Sequence, residues 1–83
     1  MPTAKSEGEW ADRARTFLKA EIKKAEVDYD ELVKRLKRHG FKDETRASIT
    51  NKLARGTFTA TFFLATLAAL ELEGVRIEDV CGG

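Results

Sequence analysis

The sequence predicts an all-α fold, a compact bundle of four to five short helices in a single domain. Three observations predict it: apolar residues recur every three or four positions, capping residues precede these stripes, and glycines follow them. With 83 residues the chain has room for one hydrophobic core. We assign residues 7–80 to this domain, 1–6 to a flexible N-terminal tail and 81–83 to a C-terminal tail.

The first predicted helix covers about residues 7–25. Ser6 stands at the N-cap and Glu9 follows three positions later, which is the spacing of a capping box. The apolar stripe of this helix includes Trp10 and Phe17, and we expect both side chains in the core.

The second predicted helix has signals at both ends. Asp28 is the expected N-cap, with Glu31 three positions later, and the helix runs to about His39. Gly40 stands where a left-handed residue ends a helix, and Phe41 follows it as in a Schellman motif.

The third predicted helix covers about residues 43–55 and begins at Asp43 or Glu44. Only Ile49 and Leu53 are large and apolar, so this helix has a thin anchor on the core. At 100° per residue, small or hydrogen-bonding side chains point away from that anchor. They are Ala47, Asn51 and Ala54, with Arg46, Lys52 and Arg55 around the edges.

The fourth predicted helix, about 60–72, is capped by Thr57 or Thr59 and is apolar nearly all round. Such a helix must be covered on most sides, and the rest of a small domain covers only one of them. We therefore expect part of it to face a second subunit. A last short helix is expected to pack Ile77 and Val80.

The positive charge lies in the middle of the chain. The net charge is only +1, yet residues 34–55 hold eight Lys/Arg against two Asp/Glu, while 1–33 and 56–83 are net acidic. A basic block of this kind is either an anion-binding face or an ordinary solvated surface, and composition favours neither.

The sequence contains none of the patterns that indicate an enzyme or a cofactor site. No nucleophile–base pair, phosphate-binding glycine motif or metal-ligand spacing occurs, so we predict no catalysis, no metal, no cofactor and no small-molecule ligand. The apolar run at 59–70 is too short to span a bilayer, for which about 20 residues are needed. The lone Cys81 fits a reducing cytoplasm.

Segments of the sequence resemble two known families. "VDYDELVKRL" and "ASITNKLARGTFTATFFLATLAAL" resemble the lambda-repressor/Cro-like helix-turn-helix domain over about residues 14–80, with a longer connection between the second and third helices than that family has. "WADRARTFLKAEIKKA" and "ASITNKLARGTFTATFFL" are similar to a group of small, uncharacterised bacterial proteins classed as a domain of unknown function.

The first resemblance implies a cytoplasmic homodimer that binds double-stranded DNA, a small transcriptional regulator with its third helix in the major groove. The expected base readers are Arg46, Ala47 and Asn51. The expected phosphate or flanking contacts are Lys34, Lys37, Arg38, Lys42, Ser48, Lys52, Arg55, Thr57 and Thr59. The alternative is a protein-interaction module that docks a partner through the apolar fourth helix.

Overall fold

The structure, a computed structural model, describes residues 6–80, and that part of the chain folds into five α-helices. They are α1 (Glu7–Lys24), α2 (Tyr29–Arg38), α3 (Arg46–Arg55), α4 (Ala60–Ala69) and α5 (Ile77–Val80). No strand occurs between residues 6 and 80, so the predicted all-α fold is confirmed. Except for Ser6, the two tails that we predicted lie outside the described residues, and so does Cys81.

The first two helices begin as the sequence predicts. The Ser6 hydroxyl accepts the Glu9 N–H at 3.1 Å, and the Asp28 carboxylate accepts the Glu31 N–H at 2.8 Å. Each side chain thereby satisfies a peptide N–H that has no partner inside the helix, an interaction worth about 1 kcal/mol.

The third helix begins later than predicted, at Arg46, and its N-cap is Thr45 rather than Asp43 or Glu44. Thr45 has an extended backbone, and its hydroxyl accepts the Ser48 N–H at 3.1 Å while the Ser48 hydroxyl accepts the Thr45 N–H at 2.8 Å. This reciprocal pair uses two short hydroxyl side chains in place of the usual Glu or Gln, so the capping-box pattern does not reveal it.

The second helix ends in the predicted Schellman motif. Gly40 has φ 96°, its N–H donates to the Lys37 carbonyl at 3.2 Å, and the Phe41 N–H donates to the Leu36 carbonyl at 3.0 Å. Only a left-handed residue closes the helix in this way, and glycine adopts that conformation without strain.

The fourth helix ends at Ala69, before the predicted limit of 72. Glu71 adopts φ 60°, and the Leu72 N–H turns back to the Leu67 carbonyl at 3.1 Å. This is again a Schellman ending, but its left-handed residue is a glutamate, which gives no signal in the sequence.

The core is formed by one face of each of the four longer helices, with α1 packed on α3 and α5, and α2 packed on α3 and α4. Its buried apolar members are Phe17, Leu18, Ile22, Val27, Leu32, Leu36, Ile49, Leu53, Phe62, Ala69 and Leu70. Phe17 is in the core as predicted, but Trp10 is 40% exposed, so its predicted core position is wrong. Trp10 lies two turns before Phe17, beyond the part of α1 that supplies buried residues to the core.

The end of α3 lies directly against the backbone of α1. Gly56, with φ 72°, is the left-handed residue after α3, and a Cβ at this position would lie 2.3 Å from the Ala11 carbonyl oxygen. The glycine predicted to end this helix therefore also allows α3 to approach α1.

Candidate nucleic-acid interface

One face of α3 is open to solvent along its whole length. Ile49 and Leu53 are fully buried, as predicted, and anchor the helix on the core. The opposite face carries small or hydrogen-bonding side chains between two arginines, all exposed: Arg46, Ala47, Thr50, Asn51, Ala54 and Arg55. The predicted outward positions Ala47, Asn51 and Ala54 are therefore where the helical period placed them. This slim face is of the kind that fits the major groove of DNA, which is about 12 Å wide.

The first residue of the helix, Arg46, is tied to the beginning of α2. Its Nη1 donates to Asp30 Oδ2 at 3.1 Å, and both side chains remain about two-thirds exposed, 66% and 65%. Exposed ion pairs contribute little, from nothing to about 1 kcal/mol, so this pair can open when another hydrogen-bonding partner is offered.

A buried carboxylate lies on one flank of α3. Glu44 is only 5% exposed, and its carboxylate accepts Lys52 Nζ at 2.8 and 3.1 Å and the Ser48 hydroxyl. The Lys52 ammonium also lies 4.5 Å from the centre of the Phe62 ring, a cation–π distance that links α3 to α4. Ser48 and Lys52, predicted as phosphate or flanking contacts, are thus already bound within the protein.

Sequence reasoning missed the role of Glu44, which we had placed at the start of the helix. The signal was available in part: an acid, a hydroxyl and a lysine at positions 44, 48 and 52 follow one another at intervals of four residues and therefore lie on one side of a helix. The spacing does not reveal that the carboxylate is buried.

Several cations around α2 remain free for an external partner. Lys34, Lys37 and Lys42 are exposed, and none of them has an ion pair within residues 6–80. Arg38 is also exposed and lies 3.8 Å from Glu31. These four predicted phosphate contacts lie on the last turns of α2 and in the loop before α3.

One basic residue of the same block has an internal role. Arg35 Nη1 donates to the Ala69 carbonyl at 3.0 Å and its Nε donates to Glu31 at 3.1 Å, so this side chain joins α2 to the end of α4. Arg35 is therefore not among the cations that are free to bind an anion.

A small depression of about 190 Å³ lies where α3 ends and α4 begins. It is lined by Asn51, Lys52, Arg55, Thr57, Phe58 and Thr59, so it brings together four predicted phosphate or flanking residues and one predicted base reader. Arg55 is exposed and has no ion pair in the described chain. Thr59 is the N-cap of α4, its hydroxyl accepting the Phe62 N–H at 3.1 Å, which decides between the two predicted caps.

A second, apolar groove of about 590 Å³ lies on the other side of α4, between that helix and α5. Its apolar lining includes Phe63, Leu64, Leu67, Leu72, Val75 and Ile77. Leu64 is 63% exposed and Ile77 is 52% exposed. The rest of the domain therefore leaves one side of α4 uncovered, as the apolar sequence of that helix led us to expect.

Residues 6–80 contain neither a candidate metal site nor a candidate membrane span. No group of three or more His, Cys, Asp and Glu side chains there is arranged to hold a metal ion. In the same part of the chain, no helix has the length and the apolar character needed to cross a membrane.

Comparison with protein families places the chain in one of them. Residues 10–75 match the family described as "Domain of unknown function (DUF6471)", which is most of the chain, so the protein belongs to this family. This agrees with the likeness to an uncharacterised domain family seen in the sequence. The search of curated proteins found no match, and neither did the search of solved structures.

Proposed function

We propose that this protein binds double-stranded DNA sequence-specifically, as a small transcriptional regulator that inserts α3 into the major groove. One observation carries the proposal: the open face of α3 is slim and polar along its length, and unpaired cations lie at its end and on the neighbouring α2. The proposed architecture is a lambda-repressor/Cro-like helix-turn-helix in which residues 39–45 form an extended connection between α2 and α3.

Base reading is assigned to the exposed face of α3. Asn51 has an amide that can form two hydrogen bonds to adenine, and Arg46 can form two to guanine once its exposed contact with Asp30 opens. Ala47 lies between them, and its methyl group leaves room for the base edges and can contact a thymine methyl.

Phosphate contacts are assigned to two sides of that face. Lys34, Lys37, Arg38 and Lys42 approach one strand from α2 and the loop, while Arg55, Thr57 and Thr59 approach the other from the depression at the end of α3. Contacts of this kind fix the position of a protein on the duplex without reading its sequence. Ser48 and Lys52 are bound to Glu44 beside this face, and no phosphate is assigned to them.

The test is selection of bound duplexes from a random-sequence library by the purified protein, followed by measurement of affinity for the selected duplex. We expect a motif to be enriched, and Asn51→Ala to weaken binding to it by about 10-fold, since one bidentate base contact is worth about 1–3 kcal/mol. Lys19→Ala is the control, because it removes an exposed cation of α1 that is assigned no DNA contact and does not line the groove between α4 and α5, and it is expected to leave the affinity unchanged.

The result that would count against DNA reading is no enrichment even at low salt, or an Asn51→Ala variant that binds like the wild type. A salt titration adds a second criterion: the logarithm of the affinity is expected to fall with the logarithm of salt by about 0.9 per phosphate contact.

The proposal includes a homodimer formed through the apolar groove between α4 and α5. Two copies of a short reading helix address two half-sites, and pairing the grooves would cover the exposed Leu64 and Ile77. Sedimentation of the wild type is expected to give a dimer, and Leu64→Ser is expected to shift it to a monomer. A wild type that stays monomeric at high concentration would refute this part.

The same groove supports a second candidate function, a protein-interaction module that binds the apolar helix of a different protein. A wild type that is monomeric and enriches no DNA sequence would support this second function. Binding through an apolar groove would also depend far less on salt than binding to phosphates does.

A further inference from the structure

Glu44 is the one charged residue that is buried among residues 6–80. Removing a carboxylate from water costs several kcal/mol unless a cation and hydrogen bonds compensate for it. Here they do: Lys52 Nζ lies at 2.8 and 3.1 Å from the two carboxylate oxygens, and the Ser48 hydroxyl donates to one of them. Burial of a charged residue is costly in a small domain, and Thr45 already caps α3, so the buried Glu44 needs another explanation.

The contacts join three parts of the molecule. Glu44 belongs to the loop before α3, its N–H donates to the Phe41 carbonyl at 3.4 Å, and Lys52 lies in the middle of α3. The Lys52 ammonium lies above the Phe62 ring of α4, 4.5 Å from its centre. Through Lys52, this one carboxylate therefore connects the loop and the proposed reading helix to Phe62 of α4.

The apolar side chains of α3 do not fix its orientation alone. Ile49 and Leu53, one turn apart, are its only buried residues, and the contact of Gly56 with the α1 backbone holds only the far end of the helix. The ion pair of Glu44 with Lys52 adds a directed contact on one flank, and a charged pair fixes geometry more strictly than apolar packing does.

We infer that Glu44 is a positioning residue: it fixes the angle at which α3 is presented and turns the Lys52 ammonium inward. Lys52 then supports DNA binding by holding the helix and not by contacting a phosphate. This inference rests on the proposed DNA-binding function for its consequence, although the contact itself can be tested without DNA.

The test compares Glu44→Gln with Asp43→Asn. Both changes remove one negative charge next to α3, but Asp43 is exposed and makes no hydrogen bond or ion pair within residues 6–80. If only charge mattered, both variants would bind the selected duplex more tightly than the wild type. The positioning role predicts the opposite sign for Glu44→Gln: affinity about 10-fold weaker, the loss expected when one bidentate base contact is misaligned, and Asp43→Asn at least as tight as the wild type.

Amide hydrogen exchange provides the readout that needs no DNA. Glu44→Gln is expected to speed exchange in α3 relative to Asp43→Asn and to leave the buried turns of α1 unchanged, which also shows that the variant is folded. If exchange in α3 is equal in the two variants, the positioning role is wrong, whatever the DNA result. If exchange differs as expected but no variant binds DNA, the proposed function fails and the contact stands.

Lys52→Met separates the two roles of the lysine, because methionine keeps the apolar stem over Phe62 and removes the charge. A phosphate contact would lower the salt slope by about 0.9, whereas the inward role predicts weaker binding with an unchanged slope. The double variant Glu44→Gln with Lys52→Met is expected to bind no worse than Lys52→Met alone. A lowered slope, or additive losses in the double variant, would overturn the inference.

Discussion

At the scale of single residues, the position of α3 depends on a glycine, which has no side chain, and on a buried glutamate, rather than on exposed residues. Gly56 lets the helix end lie on the α1 backbone, and Glu44 holds the Lys52 ammonium against the interior. Both residues lie just outside α3 itself, one at each end. The residues on the exposed face between them do not hold the helix in place, so they are available to contact a partner.

Gly56→Ala is expected to destabilise the protein by about 3 kcal/mol, because the left-handed conformation costs an alanine about 1–2 kcal/mol and the new Cβ meets the Ala11 carbonyl. Gly40→Ala is the matched control: its φ is also positive, but a Cβ there has no neighbour within 4 Å, so about 1–2 kcal/mol is expected. Urea unfolding measures both. Equal losses in the two variants would show that the contact of Gly56 with α1 is unimportant.

At the scale of the elements, the helices are limited by local signals at their starts and by left-handed residues at their ends. Ser6, Asp28 and Thr59 accept peptide N–H groups at three of the starts, and Gly40 ends α2. α1, like α4, instead ends at a left-handed glutamate, and its Glu26 has φ 57°. A glutamate in that conformation is strained, so this helix end can be improved.

Glu26→Gly is expected to stabilise the protein by about 1 kcal/mol, because glycine adopts the left-handed conformation without the steric cost. The adjacent Ala25 has an ordinary helical φ of −76°, so Ala25→Gly is expected to destabilise by about 0.5–1 kcal/mol through added freedom of the unfolded chain. The midpoints of urea unfolding for the two variants should therefore move in opposite directions. A shift of the same sign in both would contradict this account of the helix end.

The same helix ends explain how much of the fold the sequence predicts. Caps at Ser6 and Asp28 and the glycine at 40 act through residues only three to five positions apart, so a local pattern is sufficient to find them. The sequence offers Asp43 and Glu44 as N-caps of α3 just before the actual cap, Thr45. At the end of α4, Glu71 takes a left-handed conformation that glutamate does not favour. These two ends were therefore misplaced.

At the scale of the whole molecule, the candidate contacts divide between two surfaces. The open face of α3 is polar, and exposed cations without an ion pair in the described chain lie on α2, in the loop before α3 and at the end of α3: Lys34, Lys37, Lys42 and Arg55. The groove between α4 and α5 is apolar. In the proposed regulator the first surface binds DNA and the second binds another copy of the chain, so each surface has its own test.

The candidate site was predictable from the sequence where helical period alone decides exposure, as for Ala47, Asn51 and Ala54. It was not predictable where tertiary neighbours decide. Lys52 faces Glu44 and Phe62, and Arg35 reaches the carbonyl at the end of α4, so neither basic side chain is simply a solvated charge. Counting basic residues along the sequence therefore overestimates the number of cations that are free to bind a partner.

The most direct test of the central claim is to map the amide NMR shifts of the wild-type protein while adding the selected duplex. The account predicts that the changes concentrate on the exposed face of α3, at residues 46, 47, 50, 51, 54 and 55, and extend to the lysines of α2 and the loop. Changes confined to the groove of α4 and α5, or none at a saturating concentration of duplex, would contradict it and favour the protein-interaction function.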